Sequence, residues 1–145
     1  MKKGEWIYQQ YLNILREELR PAMGCTEPIA LAFAAAKAKE VLAEEVERVE
    51  MLLSKNIIKN AMGVGIPGTG MIGLPIAISL GVVCGESSKE LQVLGNAKEN
   101  LSEAKQWMDS HKITIQDKDT LVYFYDVEEY RYNDNYLLIR ARDKY

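Results

Sequence analysis

The apolar stretch from Gly63 to Cys84, GVGIPGTGMIGLPIAISLGVVC, places the strongest limit on what this chain can fold into. Five glycines and two prolines interrupt it before Gly81, and these residues favour irregular backbone over a continuous helix. The interruptions argue against a membrane-spanning helix. We therefore predict a tight glycine-rich segment from Gly63 to Gly73, followed by a buried helix over LPIAISLGVVC.

The composition indicates one soluble domain. The chain has 145 residues, of which 48% are hydrophobic, and this is enough for a single core. Its net charge of -3 is scattered along the chain, which argues against a nucleic-acid partner and against a membrane surface. Two cysteines without C-x-x-C spacing are typical of a protein of the reducing cytoplasm, so we expect no disulfide bond.

Hydrophobic periodicity predicts an α+β fold in which helices pack on a small, mostly antiparallel sheet. A first helix is expected over residues 5–20, and a second, capped by Thr26, over the alanine-rich segment that follows. Alternation of Val49, Met51 and Leu53 predicts a half-buried strand. Two further segments have a helical pattern: residues 55–62, as a short helix or turn, and residues 102–111, as an amphipathic helix.

The C-terminal region predicts a β-hairpin. Its strands are expected at Leu121–Val127 and Tyr136–Ala141, and Asn133, Asp134 and Asn135 supply turn residues between them. The second strand runs almost to Tyr145, and an exposed strand edge usually has a neighbour. We therefore expect residues 1–145 to be a single domain that forms the N-terminal portion of a longer or split enzyme.

Cys25 is the first candidate for chemistry. It lies at or just before the start of the second predicted helix, where free N–H groups and the helix dipole favour an anion, so we expect its thiol to ionise more easily than a free cysteine. A thiolate there could act as a general base, a nucleophile or a metal ligand. The alternative is a small buried hydrophobic side chain, which is also the interpretation we favour for Cys84.

The second candidate is the glycine pattern Gly68, Gly70 and Gly73, a literal match to G-x-G-x-x-G. In a dinucleotide-binding fold this motif follows a buried strand, whereas here Pro67 and a predicted helix or turn precede it, which makes nucleotide binding the weakest interpretation. A cradle for a carboxylate and a purely structural turn both remain open. The single histidine, His111, is expected to be structural or exposed.

Three segments of the chain, taken together, resemble a known family. They are GCTEPIALAFAAAKA at residues 24–38, SKNIIKNAMGVGIPGTGMIGLPIAISLG at 54–81 and VYFYDVEEYRYNDNYLLIRA at 122–141. In these segments the chain resembles the N-terminal part of the L-cysteine desulfidase family, which is related to the alpha domain of iron-sulfur L-serine dehydratases. The resemblance implies elimination of sulfide from L-cysteine, or water from L-serine, giving pyruvate and ammonia with a [4Fe-4S] cluster and without pyridoxal phosphate.

The resemblance also implies roles for particular residues. Cys25 takes the place of the family's N-terminal cysteine, as proton acceptor or as a contributor to the cluster site. Its neighbours in the two sequence blocks are expected to bind the small amino-acid substrate; they are Thr26, Glu27, Pro67, Gly68, Thr69 and Gly70. Most of the family's cluster cysteines lie in a C-terminal half that these 145 residues do not include, so Cys25 and Cys84 cannot supply the ligand set and we assign no metal ligand.

Two functions are consistent with the sequence. The first is an N-terminal fragment or subunit of a cytoplasmic, cluster-dependent lyase, inactive alone and completed by a C-terminal domain or a partner subunit. The second is a non-catalytic interaction or assembly domain that retains the fold without the cluster, with the last strand available to pair across a homo-oligomer. The choice between cysteine and serine as substrate stays open.

Overall fold

The computed structural model of the protein describes residues 3–117 and the backbone of two later strands. Along the chain, the helices are α1 (Trp6–Glu18), α2 (Thr26–Leu42), α3 (Lys55–Ala61), α4 (Leu74–Cys84) and α5 (Leu101–Ser110). The strands are β1 (Arg48–Leu53), β2 (Lys112–Asp117), β3 (Glu129–Tyr132) and β4 (Asn135–Arg140), and a 3-10 segment, Ser87–Gln92, lies between α4 and α5.

The four strands form one mixed sheet in the order β2-β1-β4-β3. β1 is parallel to β2, with Arg48 opposite Lys112, and antiparallel to β4, which in turn is antiparallel to β3. The predicted α+β fold is confirmed. A mostly antiparallel sheet was expected, and two of the three strand pairs are antiparallel. The β1–β2 pair departs from that expectation, because α3, α4 and α5 lie between these strands and return the chain to the end where β1 began.

The core lies where α2 and α4 pack together. Glycine at position 81 allows this approach, since a Cβ atom there would lie 2.3 Å from the carbonyl oxygen of Ala32. Every residue from Ile76 to Val82 is buried, as expected for the predicted buried helix. On β1, Val49, Met51 and Leu53 are buried and alternate with half-buried residues, which confirms the predicted strand.

Several elements differ from the prediction. Cys25 occupies the N-cap of α2 and Thr26 is the first helical residue, so Thr26 was wrongly predicted as the cap. β2 was not predicted. In the C-terminal hairpin, the backbone of β3 and β4 forms an antiparallel pair with Tyr132 opposite Asn135. Asn135 was predicted as a turn residue but is the first residue of β4, and β3 lies in a segment for which no strand was predicted. The predicted strand 121–127 and the turn residues 133–134 lie outside the described residues.

The two helices richest in apolar residues, α2 with 17 residues and α4 with 11, belong to the core. In the part of the chain that the structure describes, no helix has both the length and the apolar character needed to cross a membrane.

Candidate functional site

The start of α2 presents Cys25 to solvent. Gly24 has a φ of 100°, a conformation that glycine adopts without a steric cost, and it turns the chain into the extended Cys25 and then into the helix. Upstream, the Met23 N–H donates to the Leu91 carbonyl at 3.2 Å. Glu27 in the first turn complements the helix dipole. The Cys25 thiol is therefore held at a fixed place beside the free N–H groups of a helix start.

The glycine-rich segment forms a closed turn. The Thr69 N–H donates to the Ile66 carbonyl at 3.2 Å, which closes a four-residue turn from Ile66 to Thr69. Pro67 occupies the second position of this turn, and Gly68 occupies the third with a φ of 76°, as in a type II turn. Gly65 and Ile72 form an antiparallel bridge below it. Its shape thus comes from backbone pairing between residues close in sequence.

Thr69 holds the turn together through its side chain. Its hydroxyl donates to the Ile66 carbonyl at 2.7 Å and accepts from the Met71 N–H at 3.1 Å. Gly70 then continues with a φ of 66°. The half-buried Thr69 hydroxyl is engaged within the turn, whereas Pro67, Gly68 and Gly70 are exposed.

Tertiary structure brings the two sequence blocks together. A Cβ atom on Gly24 would lie 2.7 Å from Pro67 Cγ, so the residue before Cys25 packs directly on the proline of the turn. Among the predicted site residues, Cys25, Thr26 and Glu27 therefore share one region of the surface with Pro67 and the turn that follows it.

Two further residues, which no sequence pattern indicated, also lie at this region. The Asn60 side-chain amide, from α3, donates to the Glu27 carboxylate at 3.4 Å. Lys98 approaches the turn from the segment before α5, with its Cβ 3.8 Å from where a Gly68 Cβ would be. Lys98 lies outside the three segments of the resemblance, and Asn60 lies within the 54–81 segment without being a candidate there. Both reach this region because of how the helices pack.

The two cysteines have different environments. Cys25 is exposed and unpaired with any other cysteine among the described residues, so the alternative of a buried hydrophobic side chain is wrong for it. Cys84 is half-buried and packs against the core, and its S–H donates to the Leu80 carbonyl at 3.3 Å. Burial raises the pKa of the Cys84 thiol, and the nearby Glu103 carboxylate adds to the effect.

The glycine motif does not have the dinucleotide-binding arrangement. Helix α3, and not a strand, is the element before the turn, whereas the dinucleotide motif requires a strand that leads directly into the glycines. Gly68, Gly70 and Gly73 all have positive φ, and Gly73 is the N-cap of α4. The G-x-G-x-x-G pattern is thus explained by three backbone positions that glycine occupies at the lowest cost.

The described residues do not fit a [4Fe-4S] cluster by themselves. Within residues 3–117 no group of three His, Cys, Asp or Glu side chains lies together as a metal site would require. Gly85, the residue after Cys84, packs beside Ala36 of α2. Ala36 lies eleven residues beyond Cys25, which is about 16 Å along the helix axis. Cys25 and Cys84 are therefore too far apart to bind one cluster.

The fold and site define an α+β domain that presents an exposed thiol at a helix start, against a glycine-rich turn. The chain is similar to proteins named UPF0597. It is 54% identical over 108 residues to one from Porphyromonas gingivalis, 52% over 116 residues to one from Parabacteroides distasonis and 50% over 111 residues to one from Clostridium perfringens.

These similarities cover most of this chain and a small part of each relative. They include 74%, 79% and 76% of the chain but 25%, 27% and 26% of the respective relatives. The chain thus spans about a quarter of the length of the curated relatives it matches. No family model matches the chain, and no solved structure matches it.

Proposed function

We propose that this chain is the N-terminal part of an iron-sulfur-dependent lyase that eliminates sulfide from L-cysteine, or water from L-serine, to give pyruvate and ammonia. The observation that supports this most strongly is the contact between Gly24 and Pro67. It joins the two sequence blocks that resemble the L-cysteine desulfidase family, and it sets an exposed thiol beside a turn with free backbone donors. The proposal includes a cytoplasmic location, where such a thiol stays reduced.

Cys25 is the proposed general base. Its thiolate accepts the α-proton of the substrate, the bond from the β-carbon to sulfur or oxygen breaks, and the electron pair leaves with that atom. The resulting enamine tautomerises to an imine, and water hydrolyses the imine to pyruvate and ammonia. The exposure of Cys25 supports this role, because a base must reach the proton that it removes.

Backbone N–H groups are the proposed binding site for the substrate carboxylate. The first-turn N–H groups of Thr26 and Glu27 have no partner within α2. Across the contact, the N–H groups of Gly68 and Gly70 donate to no protein acceptor within the described residues. Donors at a helix start and in a glycine turn suit an anion, and the exposed Lys98 adds a positive charge to the same region.

The proposed cluster belongs to the rest of the protein. Since the described residues do not fit it, its ligands would come from the polypeptide that makes up the remaining three-quarters of the relatives. The chain alone is then expected to be inactive. A non-catalytic assembly domain is the alternative function, favoured by the exposed apolar side chains of α1.

A fusion protein tests the proposal. It joins the 145 residues of this chain to the part of the Porphyromonas gingivalis relative that lies beyond its match, and the full-length relative serves as the reference. Both are purified without oxygen and loaded with iron and sulfide. Pyruvate and sulfide release is measured with L-cysteine, and pyruvate release with L-serine.

We expect release of pyruvate by both proteins, and a loss of kcat of about a hundredfold or more when Cys25→Ala is introduced, since this is the usual contribution of a general base. Cys84→Ala is the matched control and should keep most of the activity. Loaded, folded proteins that release no pyruvate from either amino acid would overturn the lyase proposal in favour of the assembly domain. Full activity of Cys25→Ala would overturn only the role of the thiol.

A further inference from the structure

Helix α1 exposes an apolar face that nothing in the described structure covers. None of its residues is buried. On one side of the helix, four apolar side chains are 45% to 52% exposed: Ile7, Tyr11, Ile14 and Leu15. At 100° per residue these four fall within about 100° of the helix circumference. They form the α1 apolar face, and Gln9, Asn13 and Arg16 lie on the opposite side of the helix.

The spacing of these residues is that of a helix made for a groove. Counted from Ile7, the apolar positions are i, i+4, i+7 and i+8, the anchors by which an amphipathic helix binds an apolar groove. Glu18, three residues after Leu15, lies on the same face and is exposed. A groove that fits α1 would therefore have an apolar floor and a basic side chain near the C-terminal end of the helix.

The size of the α1 apolar face argues against a second copy of this chain as its occupant. A helix of 13 residues is about 20 Å long. Two such helices packed side by side cover much less than the roughly 1,200 to 2,000 Å² that a stable interface buries. A groove, by contrast, surrounds the helix on several sides, and it requires a larger body of polypeptide.

The relatives contain such a body. The matching segments make up 25% to 27% of the three relatives described above, so about three-quarters of each lies outside the region of similarity. We propose that α1 docks, through its apolar face, into a groove on the polypeptide that forms this remainder. Docking of α1 in this way does not depend on the lyase reaction.

Hydrogen exchange in the fusion protein described above tests the docking. In the 145-residue chain the amides of α1 should exchange fast, because no residue of this helix is buried. In the fusion protein we expect them to exchange at least about tenfold more slowly. Ile14→Glu should restore fast exchange, while Asn13→Glu, which adds the same charge on the opposite side of α1, should not.

Three results would overturn the proposal. The first is equal, fast exchange of α1 in the chain and in the fusion protein while the amides of β1 and α4 are protected in both. The second is slow exchange that Ile14→Glu and Asn13→Glu affect equally. The third is a 145-residue chain that sediments as a dimer, which Ile14→Glu but not Asn13→Glu dissociates, because the face would then bind a second copy. A fusion on the Clostridium perfringens relative provides a second scaffold should the first not fold, and unprotected α1 in that folded scaffold counts against the proposal equally.

Discussion

Gly24 and Pro67 are in direct contact, so close that a Cβ atom on residue 24 would lie 2.7 Å from Pro67 Cγ. Forty-three positions separate the two residues in the sequence, yet this contact sets where Cys25 lies relative to the glycine turn. The backbone at Gly24, with a φ of 100°, is one that other residues adopt only with strain. Space and conformation therefore both require glycine at this position.

Replacement of Gly24 by alanine should destabilise the fold and disturb the site. The added methyl group meets the rigid proline ring and the backbone is strained, so we expect a loss of about 2 kcal/mol in the free energy of unfolding, measured by urea denaturation. Gly63→Ala is the control, because nothing lies within 4 Å of its Cβ position, and its effect should stay within about 1 kcal/mol. Equal stability of the two variants would contradict the close contact.

Gly81→Ala tests the packing of α2 against α4. In an isolated helix this change is favourable by about 1 kcal/mol, but here the new Cβ would lie 2.3 Å from the oxygen and 2.8 Å from the Cα of Ala32. Because these are backbone atoms of a buried helix, we expect a net loss of about 1 to 3 kcal/mol in urea denaturation. Gly95→Ala, whose nearest contact is an ordinary 3.6 Å, should be close to neutral. Stabilisation by Gly81→Ala would mean that the helices lie further apart.

The two thiols should differ in their rate of alkylation. Cys25 is exposed, whereas Cys84 is half-buried, donates its S–H to Leu80 and has a pKa raised by burial. Because the thiolate is the reactive form, iodoacetamide at pH 7.5 should modify Cys25 at least about tenfold faster than Cys84, measured by mass spectrometry. The single variants Cys25→Ser and Cys84→Ser assign the two rates, and urea should make them similar. Equal rates in the folded chain would be inconsistent with these environments.

Glu40 should make the stability depend on pH. Its carboxylate accepts from the Ser87 N–H at 3.1 Å and from the Ser87 hydroxyl, and the hydroxyl bond is the main cause of a Glu40 pKa below its ordinary value of 4.5. Since the folded pKa is the lower one, the stabilisation is present above pH 4.5 and is lost as the pH falls through the folded pKa.

Glu40→Gln should therefore lower the free energy of unfolding at pH 7 and lose its effect in acid. We expect a loss of about 1 kcal/mol in the free energy of unfolding at pH 7. This is less than a fully buried charged hydrogen bond contributes, because the Glu40 side chain is 42% exposed. Glu44→Gln removes the same charge from an exposed position and controls for net charge. Urea denaturation between pH 3 and pH 7 measures both; a Glu40→Gln effect that persists undiminished at the lowest pH would argue against the carboxylate as its source.

The site was predictable from sequence only in part. The position of Cys25 at a helix start was predicted because Thr26, Glu27 and Pro28 form a local signal for a helix N-terminus, although Cys25 itself proved to be the N-cap. Asn60 and Lys98 carry no such signal. They reach the site through the packing of α3 and the segment before α5, which no short stretch of sequence encodes.

Elements with a local pattern could be predicted from the amino-acid sequence. The alternation of Val49, Met51 and Leu53 gave β1, the apolar run after Gly73 gave α4, and the glycines gave a turn, because side-chain periodicity and backbone freedom act over a few residues. Two features depend on the fold as a whole: the parallel pairing of β1 with β2 and the contact of Gly24 with Pro67. Those arrangements depend on how α2 and α4 pack and on the path of the chain between distant segments. They form because together they bury the apolar core, and the local preference of any one segment does not specify them.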